Sequence, residues 1–210
     1  MPKALSRLLI GALVGLVVLG VIVFFVGNAW FGLPVGAQGP EQPIAFPHTV
    51  HAGSVESGGL GLDCTFCHRN VDKGAAATVP SVQQCMFCHS KVTGEGSTSP
   101  TALAEITKLR TAAEQGEPIS WVRVHRLPDH VQFVHDVHIR YLMESPDVIV
   151  NSTPAIRQDG TVDAAQTCST CHGQVATMAK VKQVRALKMG DCVDCHRANN
   201  APTDCAACHY

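Results

Sequence analysis

Five segments of one pattern carry the chemistry of this chain: Cys64-Thr65-Phe66-Cys67-His68, Cys85-Met86-Phe87-Cys88-His89, Cys168-Ser169-Thr170-Cys171-His172, Cys192-Val193-Asp194-Cys195-His196 and Cys205-Ala206-Ala207-Cys208-His209. We number them motifs 1 to 5 in chain order. Cys-x-x-Cys-His is the attachment pattern of c-type haem: two thiols add across the vinyl groups of one porphyrin, and the next histidine binds the iron from one side. A zinc half-site or a redox dithiol also uses Cys-x-x-Cys. Neither accounts for a histidine directly after the second cysteine in all five copies. The five motifs use all ten cysteines, leaving none for a disulfide, a nucleophile or an iron–sulfur cluster. The expected cofactor is therefore five covalently bound haem c.

Eleven histidines less the five in the motifs leave six: His48, His51, His125, His130, His135 and His138. They fall in two short clusters, each preceding a group of motifs. Two pairs share the pattern Phe-x-His-x-x-His, as Phe46/His48/His51 and Phe133/His135/His138, which is an internal repeat. Residues i and i+3 lie on neighbouring parts of one helical face, so each pair can present imidazoles to two adjacent irons. Five irons take at most five distal ligands, so at least one histidine is spare. The order of preference is His48, His51, His135 and His138, then His125, with His130 last. Methionine is the other available ligand and raises the potential of the haem it binds. Met189, three residues before Cys192, and Met178 are the candidates, against a packing role for both. An iron with two protein ligands has no position for a substrate, which suits an electron conduit better than a catalyst.

The elements that position these groups are expected to be short. Aromatic residues make up 5% of the 210, and the chain has 18 Gly and 12 Pro, a composition poor in side chains for a conventional core. Five large apolar discs take the place of that core. The expected fold is mainly irregular with short α-helices and little or no sheet. A helix is expected from Ser99-Pro100 to Gly116, acting as a spacer between haem groups. A second, amphipathic helix is expected from Gly173 to Met189, stopping at Gly190. Cys192 and Cys205 are only 13 positions apart, so the fourth and fifth haems should be neighbours.

Leu8 to Val26 is a run of 19 residues without a polar side chain. As a helix it spans about 28 Å, the thickness of a bilayer's hydrocarbon core. Lys3 and Arg7 precede it and no further Lys or Arg occurs until Arg69, which puts the N-terminus in the cytoplasm and the haem domain outside. Trp30 and Phe31 stand where interfacial aromatics belong. Val35-Gly36-Ala37 offers a signal-peptide cleavage site, but the apolar run is longer than a signal h-region, so an uncleaved anchor is expected. Gly11 and Gly15 form a G-x-x-x-G pair suited to helix–helix approach. The domain plan is thus an anchor over 1–30, a Gly/Pro-rich linker over 31–45 and a periplasmic pentahaem domain over 46–210. Residues 28–210 carry 14 Lys+Arg against 17 Asp+Glu and no basic stripe, so nucleic acid is not an expected partner.

The Phe-x-His-x-x-His block before Cys-x-x-Cys-His resembles the cytochrome c3/c7 class of multihaem proteins. Two longer stretches carry a narrower resemblance. One is Trp121-Val122-Arg123-Val124-His125-Arg126-Leu127-Pro128-Asp129, running on to Phe133-Val134-His135-Asp136-Val137-His138. The other runs from Cys171-His172-Gly173-Gln174-Val175 and Met178 to Met189-Gly190-Asp191-Cys192-Val193-Asp194-Cys195-His196-Arg197. With the N-terminal anchor, these are similar to the pentahaem cytochrome subunit of alternative complex III. Asp191 departs from the pattern, standing where an aromatic residue is expected. The resemblance implies an electron-transfer subunit, not an enzyme by itself, of a membrane complex that oxidises quinol. It implies partners of three kinds: an iron–sulfur subunit, polysulfide-reductase-like membrane subunits and a monohaem cytochrome c. Methionine ligation, if it carries over, falls on Met189 or Met178. A competing function is a membrane-anchored multihaem quinol dehydrogenase feeding a periplasmic reductase, although Asn70 stands where that family often has methionine. A third is a reductase with an open, high-spin haem.

Overall fold

The computed structural model describes residues 3–31, 39–149 and 156–210. It divides into two compact units, Met1–Ala37 and Gln38–Tyr210. The first unit is one helix, α1 (Lys3–Phe31). Its segment Arg7–Gly27 is 21 residues long and apolar enough to cross a membrane, a length of about 32 Å. Leucine, valine, isoleucine and phenylalanine side chains from Leu8 to Val26 are exposed all round it, and the sites of Gly11, Gly15 and Gly20 face open space. The Val35-Gly36-Ala37 site and the first part of the linker lie outside the described residues, as do the side chains of Trp30 and Phe31.

The second unit is built from short helices: α2 (His48–His51), α3 (Cys64–Cys67), α4 (Val82–His89), α5 (Ala102–Gln115), α6 (His135–Glu144), α7 (Ala164–His172), α8 (Met189–Ala198) and α9 (Cys205–Cys208). Among the described residues extended pairing amounts to two isolated antiparallel bridges, Val131 with His209 and Ile156 with Val162. All five motifs lie on helices (α3, α4, α7, α8 and α9), and four of these are capped from the side chain just before them. Asp63 accepts from Thr65 N–H, Ser81 from Gln84 N–H, Asp163 from Ala165 N–H and Asp204 from Ala207 N–H. Such a cap is worth about 1 kcal/mol, a large support for a helix of one or two turns that cannot persist alone. In α8, Asp191 accepts from the Lys188 backbone N–H at 2.8 Å and so serves as a capping residue.

Apolar packing is thin. Val71, Val82, Leu109, Leu142, Ile149, Val162 and Ala164 are the buried hydrophobic residues among those described, and only Leu142, Ile149 and Val162 form a cluster, with Val148 against it.

Two expected helices come out differently. The helix placed from Ser99-Pro100 begins at Ala102 with Thr101 as its N-cap, and ends as expected at Gly116, which adopts φ 69°. It is also more than a spacer. It packs along α4, and Arg110 Nη1 donates to the His89 carbonyl at 2.6 Å. The helix expected over 173–189 is absent. A single 3-10 turn, Val175–Thr177, is followed by irregular chain until α8 opens at Met189. At Gly173 the backbone turns to φ 68°, and a Cβ there would stand 2.8 Å from Val184. The chain therefore folds back on itself instead of coiling onward. Farther along, the Val181 carbonyl lies so close to Gly39 that no side chain fits between them, and Lys180 pairs with Glu41. Tertiary contacts with the start of the domain override a weak amphipathic period interrupted by three valines.

Candidate haem sites

Each motif helix sets its two cysteines one turn apart; the histidine ends or directly follows the helix in α3, α4, α7 and α9 and lies in the last turn of α8. All ten thiols are free. Seven of the histidines are held in one chemical form. Nδ1 of His68 donates to the Thr78 carbonyl (2.7 Å), His89 to Val92 (3.0 Å), His209 to His130 (3.3 Å), and His196 to Pro202. The second histidine set follows suit: His51 to Pro47 (3.1 Å), His135 to Ala75 (2.9 Å) and His138 to Val134 (2.7 Å). A carbonyl oxygen only accepts, so Nδ1 carries the proton and Nε2 keeps its lone pair for a metal. This is the outer-shell arrangement that orients metal-binding imidazoles.

Four of the motif histidines also have an imidazole opposite them. Ring centres are 6.1 Å apart for His51–His89, 6.5 Å for His135–His172, 5.9 Å for His138–His196 and 5.4 Å for His130–His209. His68 has His48 as a neighbour. Two imidazoles bound from opposite sides of one metal, with metal–nitrogen bonds of about 2 Å, place their ring centres about 6 Å apart. Four of the five motifs approach that spacing. Burial, with His68 and His51 beside it, lowers the His48 pKa to about 4; burial with His125, His135 and His68 nearby lowers His172 likewise to about 4. Both are neutral at pH 7, the form that binds a metal.

The repeated Phe-x-His-x-x-His block is a repeat in three dimensions. Phe46 stacks on His51 (4.3 Å, 24°) and meets His48 edge-on (5.0 Å, 84°). Phe133 stacks on His138 (4.5 Å, 23°) and meets His135 edge-on (4.9 Å, 89°). In both, the second histidine bonds the carbonyl four residues back.

The remaining candidates sit differently. His125 lies edge-on against His172 at 4.3 Å, too close for a metal between the rings, and its Nε2 is buried without a hydrogen bond. Met189 opens α8 and is 69% exposed, and Met178 is half-buried after the 3-10 turn. His130 ranked last on sequence, yet its ring centre lies 5.4 Å from that of His209, with the two planes 17° apart. The contact depends on the bridge between Val131 and His209, reinforced by Gln132 N–H to the Cys208 carbonyl (2.8 Å). A pairing across 79 positions leaves no local pattern; the available signal was that motif 5 has no Phe-x-His-x-x-His block of its own.

No protein-family model matches the chain. It is 27% identical over 213 aligned positions to "Menaquinone reductase, multiheme cytochrome c subunit" of Nitratidesulfovibrio vulgaris. The alignment covers 90% of both chains, so the similarity extends well beyond the five motifs. The donor set fits c-type haem: free thiol pairs on a helical turn, a following histidine with Nε2 available, and a second imidazole facing it.

Proposed function

We propose that this chain is a membrane-anchored electron-transfer subunit of a quinone-linked respiratory complex, holding five c-type haems with two histidine ligands each. Bound haem c supplies one-electron chemistry, its iron alternating between the ferric and ferrous states. The chain's part is to attach the porphyrins through its ten cysteines, present Nε2 from both sides and leave no iron position for substrate. The proposed ligand pairs are His68 with His48, His89 with His51, His172 with His135, His196 with His138, and His209 with His130. In this reading His125 is a packing partner of His172, and neither Met189 nor Met178 is a ligand. The observation that carries the proposal is the set of facing imidazoles at about the spacing a shared metal requires.

The anchor is α1, with Lys3 and Arg7 favouring a cytoplasmic N-terminus and a periplasmic haem domain. The closer family reading is the pentahaem subunit of alternative complex III, relaying electrons from quinol through an iron–sulfur subunit towards a monohaem cytochrome. The named relative supports a second direction, in which electrons travel towards menaquinone. The test has two parts. Mass spectrometry of the intact chain should find five added porphyrins, and EPR of the oxidised protein should find low-spin iron throughout. The purified complex is then assayed with a menaquinol analogue and with a reduced periplasmic cytochrome; the donor that reduces the haems gives the direction. Fewer than five porphyrins, or a substantial high-spin fraction, overturns the ligand scheme.

A further inference from the structure

Sequence order suggests electrons passing through motifs 1 to 5 in turn. The neighbours of the thiols indicate another order. Cys67 of motif 1 lies beside Cys85 and Cys88 of motif 2, and Gln84 of α4 donates to the Phe66 carbonyl of α3. On its other side, motif 1 meets motif 3: Cys64 and Cys168 are within hydrogen-bonding reach, and α3 packs on α7. Motifs 3 and 4 are joined through α6, whose His135 and His138 stand opposite His172 and His196, and Cys171 with Cys192 and Cys195, and Cys192 with Cys208, are near enough to interact electrostatically.

Side chains and backbone reinforce the junction between motifs 1 and 3. Arg157 pairs with Asp63, the N-cap of α3, and its Nε lies 3.6 Å from Asp163, the N-cap of α7. One guanidinium thus bridges the starts of both helices, each beginning at or near a haem-attachment cysteine. The loop after motif 1 supports the distal side of motif 3: His135 Nδ1 donates to the Ala75 carbonyl, and Asp136 N–H donates to the Gly74 carbonyl at 3.2 Å.

We infer that the five haem positions form an unbranched chain in the spatial order 2–1–3–4–5, clamped at its 1–3 junction by Arg157, so that motifs 2 and 5 are its two ends. The inference rests on the proposed electron-transfer function. Exchange within the chain consumes no co-reactant, because the electron lost at one position is the electron gained at the next. The order also explains the use of the histidine blocks: His48 and His51 serve the neighbouring motifs 1 and 2, while His135 and His138 serve the neighbouring motifs 3 and 4.

The experiment uses the full-length protein with all haems attached. Mass spectrometry first establishes five porphyrins; a lower count refutes the functional reading, independently of the order. Two double variants are then compared after substoichiometric photoreduction, with electron redistribution followed haem by haem. In Cys85→Ala/Cys88→Ala, which removes an end, the remaining four positions are expected to exchange as one fast pool. In Cys64→Ala/Cys67→Ala, which removes an interior position, the haem of motif 2 is expected to drop out of that pool. The reverse result overturns the order. Should the motif 1 variant fail to accumulate, paramagnetic NMR of the unmutated protein decides: through-space contact between the haems of motifs 1 and 3 supports the order, and contact between those of motifs 2 and 3 refutes it. Arg157→Ala retains every cysteine and is expected to slow exchange between the {2,1} pair and the {3,4,5} group alone; unchanged exchange refutes the clamp.

Discussion

The two Phe-x-His-x-x-His blocks solve one problem with unequal means. Around Phe46 and Phe133 the ring geometry is nearly superimposable, with stacking within 0.2 Å and 1° of the same values. The helices beneath are not alike. α2 has four residues and no buried side chain, whereas α6 has ten, buries Leu142, and carries an Arg140–Asp136 ion pair at 2.8 Å. His135 bonds the Ala75 carbonyl, while Nδ1 of His48 is buried with no partner. An isolated four-residue helix is far below the length at which helices persist, so α2 owes its shape to its surroundings. These include the turn at Val175–Thr177 and the bonds from Leu60 N–H to Val50 O and Leu62 N–H to His51 O. The aromatic–imidazole triad is thus the preserved unit, and the helix is adjustable scaffolding around it.

The largest effects should come from removing attachment. Cys64→Ala/Cys67→Ala in the first half and Cys168→Ala/Cys171→Ala in the second are each expected to lower the mass by one porphyrin. The second pair should also cost more stability, because α7 contributes the buried Ala164, Thr167 and Ser169 while α3 buries none. Thermal unfolding of the two variants measures the difference. Next come the distal ligands. His51→Ala and His138→Ala are each expected to retain all covalent haem and convert one iron of five to high spin in EPR. If only one variant does so, the functional equivalence of the two blocks fails.

Much of this was legible in the sequence because it is local. Cys-x-x-Cys-His names its cofactor through the spacing of adjacent residues, the i, i+3 histidines share a helical face, and Gly116 ends α5 by its own backbone freedom. What stayed hidden depends on distant segments. His130 reaches His209 through a bridge formed near the C-terminus, and the chain from Gly173 to Met189 obeys Gly39 and Glu41 more than its own apolar spacing. Asp191 is intermediate: its charge was visible, but its role depends on receiving the Lys188 N–H.

Removing the stacked ring tests the triad itself. Phe46→Leu and Phe133→Leu keep apolar bulk and lose the aromatic contact, a loss of about 1 kcal/mol in each half. Similar drops in melting temperature are expected, with small changes in the g-values of one low-spin haem. A much larger drop for Phe46→Leu would indicate that the short α2 leans on its ring more heavily than α6 does.

The smallest effect should separate the halves most cleanly. Tyr141 on α6 donates its hydroxyl to Asn199 Oδ1 at 3.2 Å, tying the second histidine block to the residue that caps α8 of motif 4. The four-residue α2 ends at His51 and offers no corresponding position. The bond is solvent-exposed, so Tyr141→Phe should cost less than about 1 kcal/mol, as expected of a single neutral hydrogen bond. Its signature is local: amide hydrogen exchange should quicken in α8 around Cys195 and His196 and stay unchanged in α2, α3 and α4. Unchanged exchange in α8 would mean that the His138–His196 pairing alone holds α6 against motif 4, leaving the longer helix no advantage from this bond.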